Sequence, residues 1–316
     1  MAEPPPSCYP LAMAPTRKPP KAPWQIWLDG TGRLSLLRII TLTLLLTPVV
    51  IAIHDYNAEG FGARPINNVI HRTGYWTLLF VMMALAVTPL RRIARFNQLV
   101  DVRRMIGVGA FVYAASHILL FTADQKFDLG KVASEIVLRV YLAIGFVALL
   151  GLTALAVTST DGMVRRLGKR WQMLHQAIYV IGVLVLIHFF QQTKADVWQP
   201  ILVASLFAWM IGYRVLIKLR KSRGEPPAWQ LASLTVVVVA LTFIVEAIGI
   251  AISFNTSPLR VLENAFEFDL DVIRPGWVVL AAGALVVCVD LVQSRVARSR
   301  RPARPAPMAA RAPEMA

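Results

Sequence analysis

An all-α polytopic membrane helix bundle is the fold class this sequence predicts, and three observations predict it. Hydrophobic residues make up 56% of the 316 positions and charged residues only 16%, against about 25% charged in an average soluble protein. The apolar residues gather in eight runs near the length of about 20 residues that a bilayer core requires. The basic residues, which give a net charge of +15, follow alternate runs instead of scattering.

The chain opens with a basic, proline-rich tail (residues 1–33) carrying EPPPS and APTRKPPKAP, too poor in apolar side chains to order. The first run, 34–53, is of spanning length, and no small-residue cleavage site follows it, so no cleavable signal is expected. Further runs cover 75–90, 105–122, 141–158, 172–190 and 197–217, of which 75–90 is the tightest fit to a span. In lipid each must close its own backbone hydrogen bonds, which makes each a helix. A polar linker at 218–230, with SRGEPPAWQ at its end, separates these six helices from two more at 231–252 and 276–293. A basic tail at 294–316 is again expected to be disordered.

Charge sets the topology. Arg91, Arg92, Arg95, Arg103, Arg104, Arg165, Arg166, Lys169, Arg170, Arg214 and Lys218 lie toward one side, and with the tails that side holds 25 of the 33 basic residues. By the positive-inside rule that side is cytoplasmic, so both termini are expected in the cytoplasm. The same clustering argues against nucleic acid as a partner and for anionic lipid headgroups. The one acidic surface is the connection 253–275, with Glu263, Glu267, Asp269 and Asp271. Cys8 and Cys288 are too far apart in character and position to frame a disulfide scaffold or a metal site. No C-x-x-C-H is present, so any haem is held without covalent attachment. No internal repeat is evident, and GVGAF at 107–111 lacks the preceding strand of a dinucleotide site.

Ionisable groups inside a membrane are costly, and function is their default explanation. His117 and His188, on the third and fifth helices, share one depth toward the outer face. A pair of imidazoles facing each other can supply the two axial ligands of a haem iron. The competing explanation is a pair of interhelical hydrogen bonds, which also suits His54 and His71 near the outer helix ends. His175 lies thirteen residues before His188, about 20 Å deeper along a helix, and at 3.6 residues per turn the two are roughly 140° apart. Either the helix is distorted between them or they serve different sites. The inner position offers His175 and Arg103 but no second histidine, so one bis-histidine haem is expected. Trp171 and Tyr179 are read as interface anchors. The arginines beside this inner position are first topology determinants, and next an anion site, since guanidinium pairs with phosphate in a bidentate manner.

The motifs TPLRR (88–92), RRMIG with His117, and TST followed by RRLGKRWQMLH and His188 occur in that order. Together they resemble the haem-binding membrane subunit of the periplasmic protein-methionine-sulfoxide reductase system, within the ferric-reductase-like transmembrane group. The resemblance covers 34–217 and implies a six-helix ferric-reductase-like core, with two added C-terminal helices on which it is silent. It implies haem b on His117, His175 and His188, a flavin mononucleotide (FMN), and electron transfer to a periplasmic molybdopterin-containing methionine sulfoxide reductase subunit. The quinone pool or a cytosolic flavin reductase would supply the electrons, and the substrate chemistry would occur in the partner. The departure is LRVY at 138–141, where an R-P-Y is expected. A ferric reductase or quinol-linked cytochrome b is the nearest alternative, but its usual soluble flavin and nicotinamide domain has no room in these tails. A non-redox transporter is the alternative from another class, with Glu246 its one midspan acid.

Overall fold

The computed structural model describes residues 25–28, 32–193, 197–220, 224–265 and 273–299. Residues 1–24 and 300–316 of the two tails, and Glu267, Asp269 and Asp271 of the acidic connection, lie outside them, whereas 294–299, expected to be disordered, continue the last helix to Ser299. Among the described residues eight helical spans are long and apolar enough to cross a membrane, and the chain is a multi-pass membrane protein.

α1 (Leu36–Glu59) starts at Ser35, whose hydroxyl accepts from the Arg38 amide at 3.4 Å, and ends on Gly60 at φ 66°. A left-handed residue at this position costs least as glycine. His54 therefore lies inside α1, not beyond it, because the helix runs on to that glycine stop. α2 (Pro65–Ile93) begins with a proline whose missing N–H is no loss in a first turn. The connection between them is only 60–64, much shorter than the apolar runs suggest, because polar residues extend both helices. A 3₁₀ turn at Asn97–Leu99 leads into α3 (Val100–Asp124). α4 (Leu129–Leu138) is a short helix in what reads as a loop, capped by Asp128 accepting from the Lys131 amide at 3.0 Å. α5 (Val140–Val157) is followed by two further short helices, α6 (Asp161–Leu167) and α7 (Lys169–Gln176). α8 (Ile178–Gln192) continues α7 after a break at Ala177, whose N–H bonds three residues back to Leu174 at 3.0 Å. The helix is therefore distorted between the two histidines, one of the two alternatives that their spacing leaves open. α9 (Trp198–Arg220) completes the six-span core.

α2 is the central helix. It pairs with α3 and also meets α8, α9 and α12, and its Leu78, Phe80, Val81 and Leu85 are at most 1% exposed. α5 pairs with α8, and α3 links the two pairs. The remaining elements are α10 (Ala228–Phe254), α11 (Pro258–Ala265) and α12 (Pro275–Ser299). α10 and α12 pack on each other and on α9. A Cβ on Gly283 would come within 2.2 Å of the Thr235 side chain, so the contact requires glycine. The seam with α9 is tied by polar pairs: Trp209 Nε1 donates to Thr235 Oγ1 at 3.0 Å, and Thr242 Oγ1 donates to Ser205 Oγ at 2.9 Å. Such bonds add the directionality that apolar packing in lipid lacks.

Glu246 of α10, with 8% of its side chain exposed, meets Arg274 at 3.5 Å at the start of α12. Removing one partner of a buried pair strands the other charge, at roughly 3 kcal/mol. Arg274→Met is therefore expected to lower the thermal midpoint in detergent, and Glu246→Gln added to it to restore most of the loss.

Candidate functional site

Four helices build the site. α3 presents His117 and α8 presents His188, with ring centres 6.4 Å apart and planes at 84°. Each Nδ1 hydrogen-bonds a backbone carbonyl of a neighbouring helix: Ile70 on α2 at 2.8 Å for His117, and Tyr141 on α5 at 2.7 Å for His188. A carbonyl only accepts, so each Nδ1 carries the proton and each Nε2 keeps its lone pair.

Two glycines make this grip geometrically possible. A Cβ on Gly74 would sit 3.0 Å from His117 Cε1, and a Cβ on Gly145 would sit 2.8 Å from His188 Cε1. Each glycine stands four residues after the carbonyl that holds the imidazole, and each carbonyl precedes its histidine by 47 residues. The α2–α3 and α5–α8 pairs thus repeat one local device. That repeat is nearly invisible in the sequence, where its only trace is a glycine and a histidine at one common interval. The LRVY departure falls here too: Arg139 is extended, α5 begins at Val140, and the Tyr141 carbonyl is the acceptor for His188.

The two imidazoles face a cavity of about 520 Å³, within the range of cofactor pockets. Its deep walls are apolar, with Leu78, Ala114, Ala148 and Leu152 all at most 8% exposed. Trp76 and Phe189 also line it, and Asp124, Gln192 and Gln199 line it from helix ends. Among the described residues no three histidine, cysteine or acidic side chains gather as a metal site. Two nitrogens about 2 Å from one shared metal would place their ring centres roughly 6 Å apart. The arrangement can therefore hold a metal from both sides if a planar ligand in the cavity supplies the other donors, as a porphyrin does.

His175 is not brought to this cavity. Its ring stacks on Trp171 with centres 3.8 Å apart, its Nδ1 faces the Trp171 carbonyl at 3.1 Å, and its Nε2 faces Ser159 Oγ at 3.3 Å. Trp171 in turn donates to the Thr158 carbonyl at 2.9 Å. Trp171 is thus a packing partner of His175.

Arg103 lies within electrostatic reach of His175 and also of Tyr179, Arg214 and Arg91. Arg214 donates to Tyr179 at 3.2 Å and to the carbonyls of Met210 and Leu85, and its guanidinium stands 5.3 Å from the Tyr179 ring centre. Tyr179 is therefore turned to Arg214. Arg214 carries no motif of its own; in the sequence it merges with the topology-setting charges. Arg104 pairs instead with Asp161 on α6, whose carboxyl is held below the usual carboxylate range by that guanidinium. Guanidinium groups gather at this end of the bundle, and the cavity lies toward the other end.

The imidazole grip is testable in isolation. Gly145→Ala forces His188 away from the Tyr141 carbonyl, and loss of such a supporting contact typically costs a metal site 10–100-fold. Absorbance titration with an added iron porphyrin is expected to show affinity down by roughly tenfold or more.

Residues 73–186 match the family model for the ferric reductase like transmembrane component, a stretch that starts one residue before Gly74. The chain is 44% identical over 161 residues to the protein-methionine-sulfoxide reductase heme-binding subunit MsrQ of Herminiimonas arsenicoxydans, across 50% of this chain and 74% of that protein. It is 40% identical over 167 residues to the protein of the same name from Xanthomonas euvesicatoria pv. vesicatoria, across 52% of this chain and 77% of that one. The counterpart from Xanthomonas oryzae pv. oryzae is 40% identical over 176 residues, covering 54% and 81%. No solved structure matches.

Proposed function

Since the chain belongs to the family of protein-methionine-sulfoxide reductase heme-binding subunits, we propose that it is the membrane electron-transfer subunit of such a system, with one haem b held by His117 and His188. The observation that carries this reading is the pair of Nε2 atoms left free by two carbonyl-bound Nδ1 atoms on opposite walls of one cavity. A haem bound there supplies one-electron chemistry through its iron. The chain's own residues do the rest. The carbonyls of Ile70 and Tyr141 hold each imidazole in the tautomer that can ligate, which also raises its basicity. The apolar walls keep water from the centre and so influence its potential.

The basic end supports the second half of the proposal. Arg91, Arg214, Tyr179 and His175 stand within electrostatic reach of Arg103, and Arg104 within reach of His175. Such a set suits the phosphate of FMN, with His175 beside it on the entry route. Electrons would come from the quinone pool or a cytosolic flavin reductase on this side, which the charge asymmetry makes cytoplasmic. They would leave at the cavity end to a periplasmic molybdopterin-containing subunit, where methionine sulfoxide is reduced. The membrane is the inner membrane, with both termini in the cytoplasm.

Two outcomes check this reading. In reduced-minus-oxidised spectra, His117→Ala and His188→Ala should each abolish the low-spin haem signal as fully as the double variant, whereas His175→Ala should keep it and slow electron entry. Survival of the low-spin signal in His188→Ala with its loss in His175→Ala would reverse the assignment. Reporter fusions after Arg220 and at the C-terminal tail should both read cytoplasmic; a periplasmic reading after Arg220 would invert the direction of transfer.

A further inference from the structure

The mouth of the cavity is asymmetric in charge. Asn67 and Arg72 stand on it from the first turns of α2, Gln192 from the end of α8, Gln199 from the start of α9, and Asp124 from the last residue of α3. Apart from the histidines, Arg72 is the one basic residue and Asp124 the one acid among the described lining residues. Arg72 is not a loose surface arginine. Its Nη1 pairs with Asp55 Oδ2 of α1, its guanidinium stands 5.5 Å from the centre of the Phe61 ring, and its side chain is 46% exposed. Asp55 is outside the cavity lining, so it grips the guanidinium from behind. A guanidinium has five N–H donors in a fixed fork, and one Nη1 contact leaves most of them for a second carboxylate.

A haem b presents two carboxylates on one edge and is apolar elsewhere. Those carboxylates cannot be placed against Leu78, Ala148 or Leu152 without a large desolvation cost, which turns that edge to the mouth. There Asp124 repels them and Arg72 attracts them. We infer that Arg72 anchors the carboxylate edge of the haem, with Asp55 as the positioning residue that fixes its guanidinium. The inference rests on the haem reading above and adds the orientation of the macrocycle within the cavity.

The test compares haem with haem dimethyl ester, whose carboxylates are blocked, in reconstitution of haem-free full-length protein followed by absorbance. A charge-assisted hydrogen bond to carboxylate corresponds to roughly ten- to a hundredfold in affinity. The native protein should prefer haem over the ester by about that factor. Arg72→Gln should weaken haem binding by a similar factor and bring the preference close to one. Asp55→Asn should reduce the preference in part while the thermal midpoint moves little, which a merely structural role would not produce. Arg72→Lys, which keeps charge without the fork, should fall between. A native-like preference in Arg72→Gln would overturn the anchor. Undiminished binding of both ligands in His117→Ala and His188→Ala would instead overturn the haem reading itself, so the two failures are separate.

Discussion

The site depends on one constraint, the close approach of an imidazole to the backbone of a neighbouring helix. His117 and His188 reach the carbonyls of Ile70 and Tyr141 only because Gly74 and Gly145 leave room one turn further on. A helix carbonyl in lipid already has its intrahelical partner, and its second lone pair is what the imidazole uses. The bond thus costs the helix nothing and settles the tautomer of the ring. Everything at the cavity follows from it: the direction of both Nε2 atoms, the 6.4 Å between the ring centres, and the space left for a planar ligand. That the device occurs twice, at the same 47-residue interval, gives the four helices a local pseudo-symmetry about the cavity.

The two ends of the bundle divide the chemistry. At one end the guanidinium groups of Arg91, Arg103 and Arg214 gather around Tyr179 and His175, and Asp161 is paired with Arg104. At the other end a polar mouth opens over an apolar cavity. The break at Ala177 between α7 and α8 falls between the two histidines of this one span, and His175 and His188 are turned to different surroundings. A separation of about 20 Å along the span keeps the two sites distinct.

The added helices are bound to the core more closely than a covalent appendage would be. Tyr213 of α9, at 0% exposure, donates to Glu225 at 3.1 Å, and Arg92 of α2 reaches the same carboxylate at 3.3 Å. Arg95 donates to Ser294 of α12 at 3.4 Å. α10 and α12 therefore cover one flank of α9 and touch α2, yet none of their residues lines the cavity.

Composition and run length determined the membrane class and the number of spans, because the bilayer imposes both a length and a backbone rule that leave few alternatives. Histidines at a common depth marked the site, because ionisable groups are too costly in lipid to be scattered without use. The sequence left open whether His175 belonged with His188, since an ideal helix cannot report the break at Ala177. It did not disclose Arg214, Gly74, Gly145 or the two carbonyls, nor the short helices at 129–138 and 258–265 in apparent loops. Those depend on which helix faces lie against each other, and an interhelical approach of a few ångströms has no local signature in a chain whose apolar residues look alike on every side. Only the tertiary structure, by bringing α2 to α3 and α5 to α8, could turn two half-buried imidazoles into a facing pair.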